Sequence, residues 1–468
     1  LRHFLFHSIS FICFPSSNTL ICPDCPYPHS TGKFTIRTYV LYDLYCVQSC
    51  NKEVIFRMGR TILHADCNNF YAAVECLYNP ALRGKPVAVA GDPEQRHGIV
   101  LAKNYLAKAC GIQTGNPLWL AKQLCPEIVF VPPHYDKYLR FSRIAREIYN
   151  EYTDQVEPFG LDEAWLDVTG SGIMGTGEQI ANEIRKRIKQ ELGITVSVGV
   201  SFNKVFAKLG SDIKKPDATT IITPENFREM VWTLPVSDLL YVGPATTRKL
   251  NSFAIHTIGD LASAPDEWLQ SKLGKIGFML KIFAQGKDTS PVSVAGAPPK
   301  IKSIGNSMTT PRDLVTDEEM KITMLVLAES VAERMRGCFF RAGTVEVSLR
   351  DNELSYCTRQ KKLSYPTGNS EDIFKAAFKL YKENHISGKP LRSIGIRACD
   401  LSMEKKVQLS LFPGVIRTQK IDRLETAVDS IRSRFGHFAV RRAVMLTDPI
   451  LSDTNPAAEH TIHPVSFL

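Results

Sequence analysis

The chain has 468 residues, of which 44% are hydrophobic, and this length and composition predict a globular protein of roughly three domains. Its 57 Lys and Arg against 48 Asp and Glu give a net charge of +9, which favours binding to polyanions if the basic residues cluster. No uninterrupted apolar run approaches the roughly 20 residues that span a bilayer, so an integral membrane protein is not expected.

Residues 1–57 have no periodic pattern, and the first 50 carry five of the 12 cysteines. The other seven cysteines are scattered, which indicates a reducing compartment rather than a disulfide framework. A zinc knuckle of Cys22, Cys25, Cys46 and Cys50 is the less favoured alternative, because the second pair is loosely spaced. We interpret 1–57 as an N-terminal extension that precedes a first residue at Met58; a signal peptide is disfavoured because polar residues interrupt the apolar stretch.

Strands and helices alternate from residue 61 onward. Residues 179–192 predict a helix with Ile180, Ile184 and Ile188 on one face, ended by Gly193. Short apolar runs predict strands at 61–65, 86–90, 98–102, 128–131 and 194–200. The alternation indicates an α/β or α+β core.

The second half of the chain changes character twice. Residues 235–262 read as short helices, and 289–299 are rich in Pro, Gly, Ala and Ser, as in an interdomain linker. The rest predicts a β-α-β-β-α-β unit. In this unit Thr316 and Glu319 form a capping box for the first helix, and Ser370 caps the second. A helix from Asp422 onward has no assigned role.

The stretch FGLDEAWLDV, residues 159–168, places two carboxylates side by side in an apolar segment. Asp66 ends another apolar strand, so Asp66, Asp162 and Glu163 would meet if the two strands were neighbours. Such a set with open positions suits Mg²⁺, and two ions roughly 4 Å apart support phosphoryl transfer. The alternative is that Asp66 caps a helix and the other two lie on a solvated hairpin. Adjacent strand residues face opposite ways, so Asp162 and Glu163 share a site only if the backbone turns there.

Basic and aromatic residues supply candidate phosphate ligands. Tyr105 and Lys108 are three residues apart on one predicted helical face, and residues 201–216 form a basic helix and loop. Each segment is a weak signal alone, because a run of lysines usually lies on a solvated face.

Four segments together resemble the palm and fingers motifs of the Y-family DNA polymerases, the translesion group: LHADCNNFYAAVE, NYLAKACGIQTG, FGLDEAWLD and SVGVSFNKVFAKLGSDIKKP. The resemblance covers about residues 58–412. It implies an α+β, multidomain right-hand polymerase that adds dNTPs to a primer without a proofreading exonuclease. The implied regions are a palm at 58–77 and 131–225, fingers at 78–130, a helix-hairpin-helix thumb at 226–288, the linker at 289–299, a little finger at 300–404 and a tail at 405–468.

The resemblance also implies roles for individual residues. Asp66, Asp162 and Glu163, with the backbone carbonyl of Cys67, would hold two Mg²⁺ ions. Tyr71 would be the steric gate against ribonucleotides. The triphosphate would be bound by Tyr105, Lys108 and Lys215.

Contacts with partners are implied by the same likeness. A DNA phosphate would approach Gly243, and the duplex backbone would follow Arg359, Lys361 and Lys362. The segment Gln408, Leu411 and Phe412 resembles a sliding-clamp peptide. We therefore expect a cytoplasmic monomer that works on primer–template DNA with dNTPs and a sliding clamp. The rival classes are a non-catalytic DNA-binding scaffold and a hairpin-containing nuclease or glycosylase.

Overall fold

The computed structural model describes residues 59–91, 98–296, 301–385, 388–403 and 414–456, with side chains left undescribed at 414–419. The expectations for residues 1–57, including the zinc alternative, lie outside these ranges, as do Met58 and the clamp-like segment of Gln408, Leu411 and Phe412.

A five-stranded sheet has the order β5-β6-β1-β7-β8. Its central strand β1 is buried at all six positions, as its apolar sequence predicts. β6 and β7 flank β1 in antiparallel pairing, whereas β8 runs parallel to β7. The strands are β1 (Ile62–Cys67), β5 (Val156–Phe159), β6 (Glu163–Asp167), β7 (Val196–Ser201) and β8 (Thr219–Ile222).

Four amphipathic helices pack on this sheet: the first three bury apolar residues in the core on one face, and the fourth covers the other face. They are α1 (Phe70–Tyr78), α4 (Tyr135–Asn150), α5 (Gly177–Arg187) and α6 (Lys204–Ile213). The helix predicted at 179–192 begins two residues earlier, because Thr176 and Gln179 form a capping box. It continues as a π-helical turn to Leu192 and ends at Gly193, whose φ is +71°.

A smaller three-stranded sheet has the order β3-β2-β4 and carries two short helices. Its core consists mainly of small and β-branched side chains. The elements are β2 (Val87–Ala90), β3 (Val100–Lys103), α2 (Tyr105–Ala109), α3 (Leu118–Leu124) and β4 (Val129–Val131).

The predicted run of short helices is confirmed. Gly243 is the N-cap of α8 and Pro244 its first helical residue, while Thr257 and Asp260 form a capping box for α9. The helices are α7 (Phe227–Val231), α8 (Pro244–Asn251), α9 (Ile258–Ser263), α10 (Asp266–Leu273) and α11 (Lys275–Ala284).

The β-α-β-β-α-β unit is also confirmed, as a four-stranded antiparallel sheet of order β11-β10-β12-β9. The Thr316–Glu319 capping box is present. The prediction for Ser370 is wrong: Asn369 is the N-cap, and the Ser370 hydroxyl donates instead to Glu425, 2.5 Å away. The elements are β9 (Ser303–Leu314), α12 (Asp317–Gly337), β10 (Arg341–Asp351), β11 (Tyr356–Thr367), α13 (Ser370–Asn384) and β12 (Leu391–Ser402).

The last described helices, α14 (Gly414–Phe435) and α15 (Pro449–Ser452), pack against α12. Ion pairs hold the first of them: Arg336 contacts Glu425 and Asp429, and Glu329 contacts Arg432 at 2.7 Å. Within the described ranges, no helix combines the length and the apolar character needed to cross a membrane. The seven cysteines described there are all free thiols.

Candidate active site

The three predicted carboxylates meet where β1 and the β5–β6 hairpin lie side by side. Asp66 is the register partner of Glu163, and the amide of Cys67 donates to the Asp162 carbonyl at 3.0 Å. The chain turns between β5 and β6 at Gly160, whose φ of +86° is in the left-handed region that favours glycine. Asp162 therefore lies in the turn and Glu163 begins the strand, which is the backbone turn that a shared site requires. The helix-capping alternative for Asp66 is excluded, because Asn69 is the N-cap of α1.

The three carboxylates influence one another electrostatically. Burial, followed by repulsion from neighbouring carboxylates, raises the pKa of Asp66 to about 6 and the pKa of Asp162 to about 7. Burial acts in the same direction on Glu163, but contacts with His64 and Lys208 outweigh it and lower the pKa of Glu163 to about 2. The ionised forms of Asp66 and Asp162 are therefore disfavoured in this arrangement, and a bound cation would stabilise them.

Two lysines from α6 and the loop after it neutralise part of this charge. Lys215 Nζ lies 2.6 Å from Asp66 Oδ2 and 2.8 Å from Asp212 Oδ1. Lys208 Nζ lies 2.5 Å from Glu163 Oε2. These two lysines of the basic segment face the site and not the solvent. The hydrogen bonds shown to Asp66 and Glu163 all go to one oxygen of each carboxylate.

The donor chemistry fits a hard divalent cation such as Mg²⁺, which prefers carboxylate and carbonyl oxygen ligands. As the side chains lie, however, no group of three acidic, His or Cys residues in the described ranges is arranged to hold a metal ion. The lysine ammonium groups are bound to Asp66 and Glu163 in this arrangement. The Cys67 thiol is fully buried and burial raises its pKa, so only its backbone carbonyl suits a hard cation.

Tyr71 on α1 is half-buried beside the carboxylates. Its ring stacks on Tyr138 with centroids 4.2 Å apart and an interplanar angle of 8°, and Tyr135 meets its edge at 6.1 Å. The Tyr138 hydroxyl donates to buried Glu75 at 2.6 Å, and this bond fixes the Tyr138 ring. Burial raises the pKa of Tyr71, and the charge of Asp162 raises it further because this carboxylate is close to the ring. The three stacked and edge-on tyrosines therefore border the acidic site.

Tyr105 and Lys108 lie on α2, where the side chain of Asn104 caps the helix. Lys108 Nζ is 5.9 Å from the centre of the Tyr105 ring. Burial raises the pKa of Tyr105. Of the nearby charges, Lys215 acts to lower this pKa and Asp66 acts to raise it. Tyr105 is thus close enough to Asp66 and Lys215 for their charges to act on it, and Lys108 lies beside Tyr105.

The predicted DNA contacts on β11 are divided between two faces. Arg359 and Lys361 pair with Val347 and Val345, whose side chains are in the core, so these two basic residues share the helix-covered face. Arg359 Nε donates to Asn384 on α13 at 3.2 Å. Lys362, paired with Thr344, belongs to the opposite face. Gly243 is exposed, with no atom within 4 Å of the position a Cβ would take, so a phosphate has room to approach.

Three polar residues of the site were missed in the sequence. His64 and Lys208 contact Glu163, and Asn68 Oδ1 accepts from the Asp217 amide at 2.9 Å, next to the loop of Lys215. A histidine inside an apolar strand was the only visible signal for His64. The other two become informative only once the strands are paired.

A right-hand polymerase is the class of protein that this palm-like sheet and its carboxylate cluster define, and comparisons with known proteins agree. A family model described as the impB/mucB/samB family matches residues 65–212, and the model of its C-terminal domain matches residues 301–411. The structure is similar to a solved Y-family DNA polymerase chimera, with a TM-score of 0.65, 25% identity, and coverage of 74% of this chain and 100% of that one.

Several curated proteins are similar to this chain over most of their length. The chain is 52% identical to DNA polymerase IV of Acetivibrio thermocellus over 84% of this chain and 98% of that protein. It is 38% identical to DNA polymerase IV of Pelotomaculum thermopropionicum, over 85% and 99%, and to DNA polymerase IV 2 of Bacillus subtilis, over 83% and 95%. The chain therefore belongs to the impB/mucB/samB family of Y-family DNA polymerases. It is a DNA-directed DNA polymerase of the translesion type.

Proposed function

We propose that the chain adds dNTPs to a primer 3′-hydroxyl by two-metal phosphoryl transfer. The observation that carries this proposal is the pairing of Asp66 with Glu163, with Asp162 in the adjoining turn and Lys215 against Asp66. Asp66, Asp162 and Glu163 would hold two Mg²⁺ ions, together with the Cys67 carbonyl. Bound there, the ions would activate the attacking hydroxyl and stabilise the leaving oxygen.

The neighbouring side chains bind and orient the nucleotide. Lys215, Lys108 and the Tyr105 hydroxyl would bind the triphosphate, which would draw Lys215 away from Asp66 and open that carboxylate. The flat face of Tyr71, held by Tyr138, would lie under the sugar and exclude a 2′-hydroxyl. Removal of water around these charged groups would strengthen each of their contacts.

The remaining features belong to the same proposal. The domain boundaries proposed are the ones given above from the sequence, and the polymerase would work without a proofreading exonuclease, so low fidelity is expected. Primer–template DNA would bind near Gly243 and along the sheet that carries Lys362, while Arg359 and Lys361 would reach the duplex only around the edge of β11. The chain would act as a cytoplasmic monomer attached to a sliding clamp through Gln408, Leu411 and Phe412.

Primer extension in Mg²⁺ tests the proposal. Wild type is compared with Asp162→Asn plus Glu163→Gln, which keeps the shape of both side chains, and with Glu183→Gln, which changes an exposed carboxylate on α5. We expect extension by wild type and Glu183→Gln and none by the double variant. Equal extension by all three would refute the carboxylate assignment, and strand cleavage would favour a nuclease.

A further inference from the structure

His64 lies on β1 two residues before Asp66, so strand alternation places both side chains on the face that α6 covers. The imidazole has no solvent exposure. It lies beside Trp165 of β6, with ring centroids 5.1 Å apart. A buried polar ring of this kind needs hydrogen-bond partners to offset the cost of leaving water.

Those partners join α6 to Glu163. His64 Nδ1 lies 2.8 Å from Ser211 Oγ, which in turn lies 2.7 Å from the carbonyl oxygen of Lys208. His64 Nε2 lies 3.2 Å from Glu163 Oε2 and has no hydrogen-bond partner in the described ranges. Because a carboxylate only accepts, this contact is attractive when Nε2 carries the hydrogen. In the neutral ring Nδ1 then accepts from the Ser211 hydroxyl, which turns from the Lys208 carbonyl to His64.

The two side chains that contact Glu163, Lys208 and His64, lie against the same carboxylate oxygen. Lys208 Nζ and His64 Nε2 each contact Oε2, and no contact to Oε1 is seen among the described residues. The lysine and the histidine are themselves connected, since Ser211 links His64 to the helical turn that carries Lys208. Glu163 is thus held at one oxygen from two directions.

We propose that His64 is a positioning residue for Glu163: it holds Oε2 through Nε2, anchored by Ser211, and leaves Oε1 for a divalent cation. This inference rests on the proposed metal role of Glu163. Partners that orient a metal-binding side chain typically matter about 10- to 100-fold for metal affinity. The competing explanation is that His64 only fills space beside Trp165.

Two nearly isosteric variants separate these explanations. In His64→Gln the side-chain amide reaches the Nε2 position and keeps a donor toward Glu163. In His64→Asn the shorter amide reaches only the Nδ1 position and keeps the contact with Ser211. If His64 only fills space, the two variants should differ in stability but not in metal binding. If His64 positions Glu163, metal binding should depend on whether the variant keeps a donor at the Nε2 position.

The measurements use the full chain with primer–template DNA. Mn²⁺ binding to the complex with a non-hydrolysable dNTP analogue is followed by the loss of the free-ion EPR signal, and the Mg²⁺ concentration for half-maximal extension is measured alongside kcat and the KM for dNTP. We expect His64→Asn to weaken Mn²⁺ binding and raise the Mg²⁺ requirement roughly tenfold or more. We expect His64→Gln to stay nearer wild type, and DNA affinity to be unchanged in both.

Equal Mn²⁺ binding by the two variants, with differences confined to melting temperature, would overturn the inference. If His64→Asn does not fold, Ser211→Ala serves instead, because it frees Nδ1 and should raise the Mg²⁺ requirement in the same direction; an unchanged value would also overturn the inference. Wild-type protein that fails to extend primers in Mg²⁺ would instead contradict the proposed function.

Discussion

Lys215 Nζ lies 2.6 Å from Asp66 Oδ2, although 149 residues separate the two in the chain. Burial alone would lower the pKa of Lys215, but Asp66 and Asp212 outweigh that effect and raise it. The lysine is therefore a fixed positive charge at the edge of the acidic site. A nucleotide triphosphate would compete with Asp66 for this charge.

Replacing Lys215 with Gln should weaken nucleotide binding more than it affects folding. A hydrogen bond to a charged group contributes about 2 kcal/mol, so the KM for dNTP should rise about 30-fold. The control is Lys214→Gln, which removes an exposed lysine one position earlier. Steady-state single-nucleotide insertion measures both, and equal KM values for the two variants would contradict the phosphate role.

Truncating Tyr71 to Ala should open space beside the sugar of the incoming nucleotide, because it removes the Tyr71 ring from its stack on Tyr138. Discrimination against ribonucleotides should fall at least about tenfold, equivalent to about 1.4 kcal/mol. Tyr78→Ala, at the exposed end of the same helix, is the control. The ratio of kcat/KM for dNTP and rNTP measures the effect; a Tyr71→Ala protein as selective as wild type would rule out the gate.

Gly199 on β7 should tolerate no side chain. A Cβ there would come 1.9 Å from the Ala207 carbonyl oxygen and 2.5 Å from the Ser211 amide, both on the backbone of α6. Gly199→Ala should cost at least the roughly 1 to 3 kcal/mol of ordinary overpacking. It should also reduce extension, because α6 carries Lys208.

Thermal unfolding measures this prediction. Gly170→Ala is the control, since Gly170 is exposed and no atom lies within 4 Å of the position that a Cβ would take there. Melting temperatures that are the same for Gly199→Ala and wild type would show that the close approach of β7 and α6 is wrong.

Glu319 should make the β-α-β-β-α-β unit sensitive to acid. Burial acts to raise its pKa, but amide hydrogen bonds from Thr316 and Val315 and contacts with Arg312 outweigh burial and lower the pKa to about 2. A lowered pKa means that the stabilisation is complete above about pH 4.5, the ordinary range for Glu, and is lost as the pH falls toward 2.

Glu319→Gln should therefore be less stable than wild type by up to about 1 kcal/mol at pH 7, because Gln can still accept the amide bonds but lacks the charge that pairs with Arg312 and the helix N-terminus. The difference should shrink between pH 4.5 and 2. Urea unfolding at several pH values measures this difference. The control is Glu318→Gln, whose exposed side chain pairs weakly with Lys321 at 3.4 Å. A difference that does not change with pH would contradict the role of the Glu319 charge.

Local features were predictable from the sequence. Thr316 and Glu319 cap a helix through bonds that span only three residues, and the alternation of strands and helices specified the β-α-β-β-α-β unit. The prediction for Ser370 was wrong because its partner, Glu425, is 55 residues away and outcompetes the local cap. The split of Arg359 and Lys361 from Lys362 follows from strand register, which a cluster of basic letters does not reveal.

The sequence by itself determined the family, the order of elements in the β-α-β-β-α-β unit and the three candidate carboxylates, because these depend on residue types and spacings along the chain. Only the tertiary structure decided that Lys208 and His64 meet at Glu163 and that Lys215 reaches Asp66. Those contacts join residues far apart in sequence, so they depend on the pairing of β1 with β6 and on the close packing of α6. Strand register and helix packing arise from the sum of many weak contacts, and no short motif encodes them.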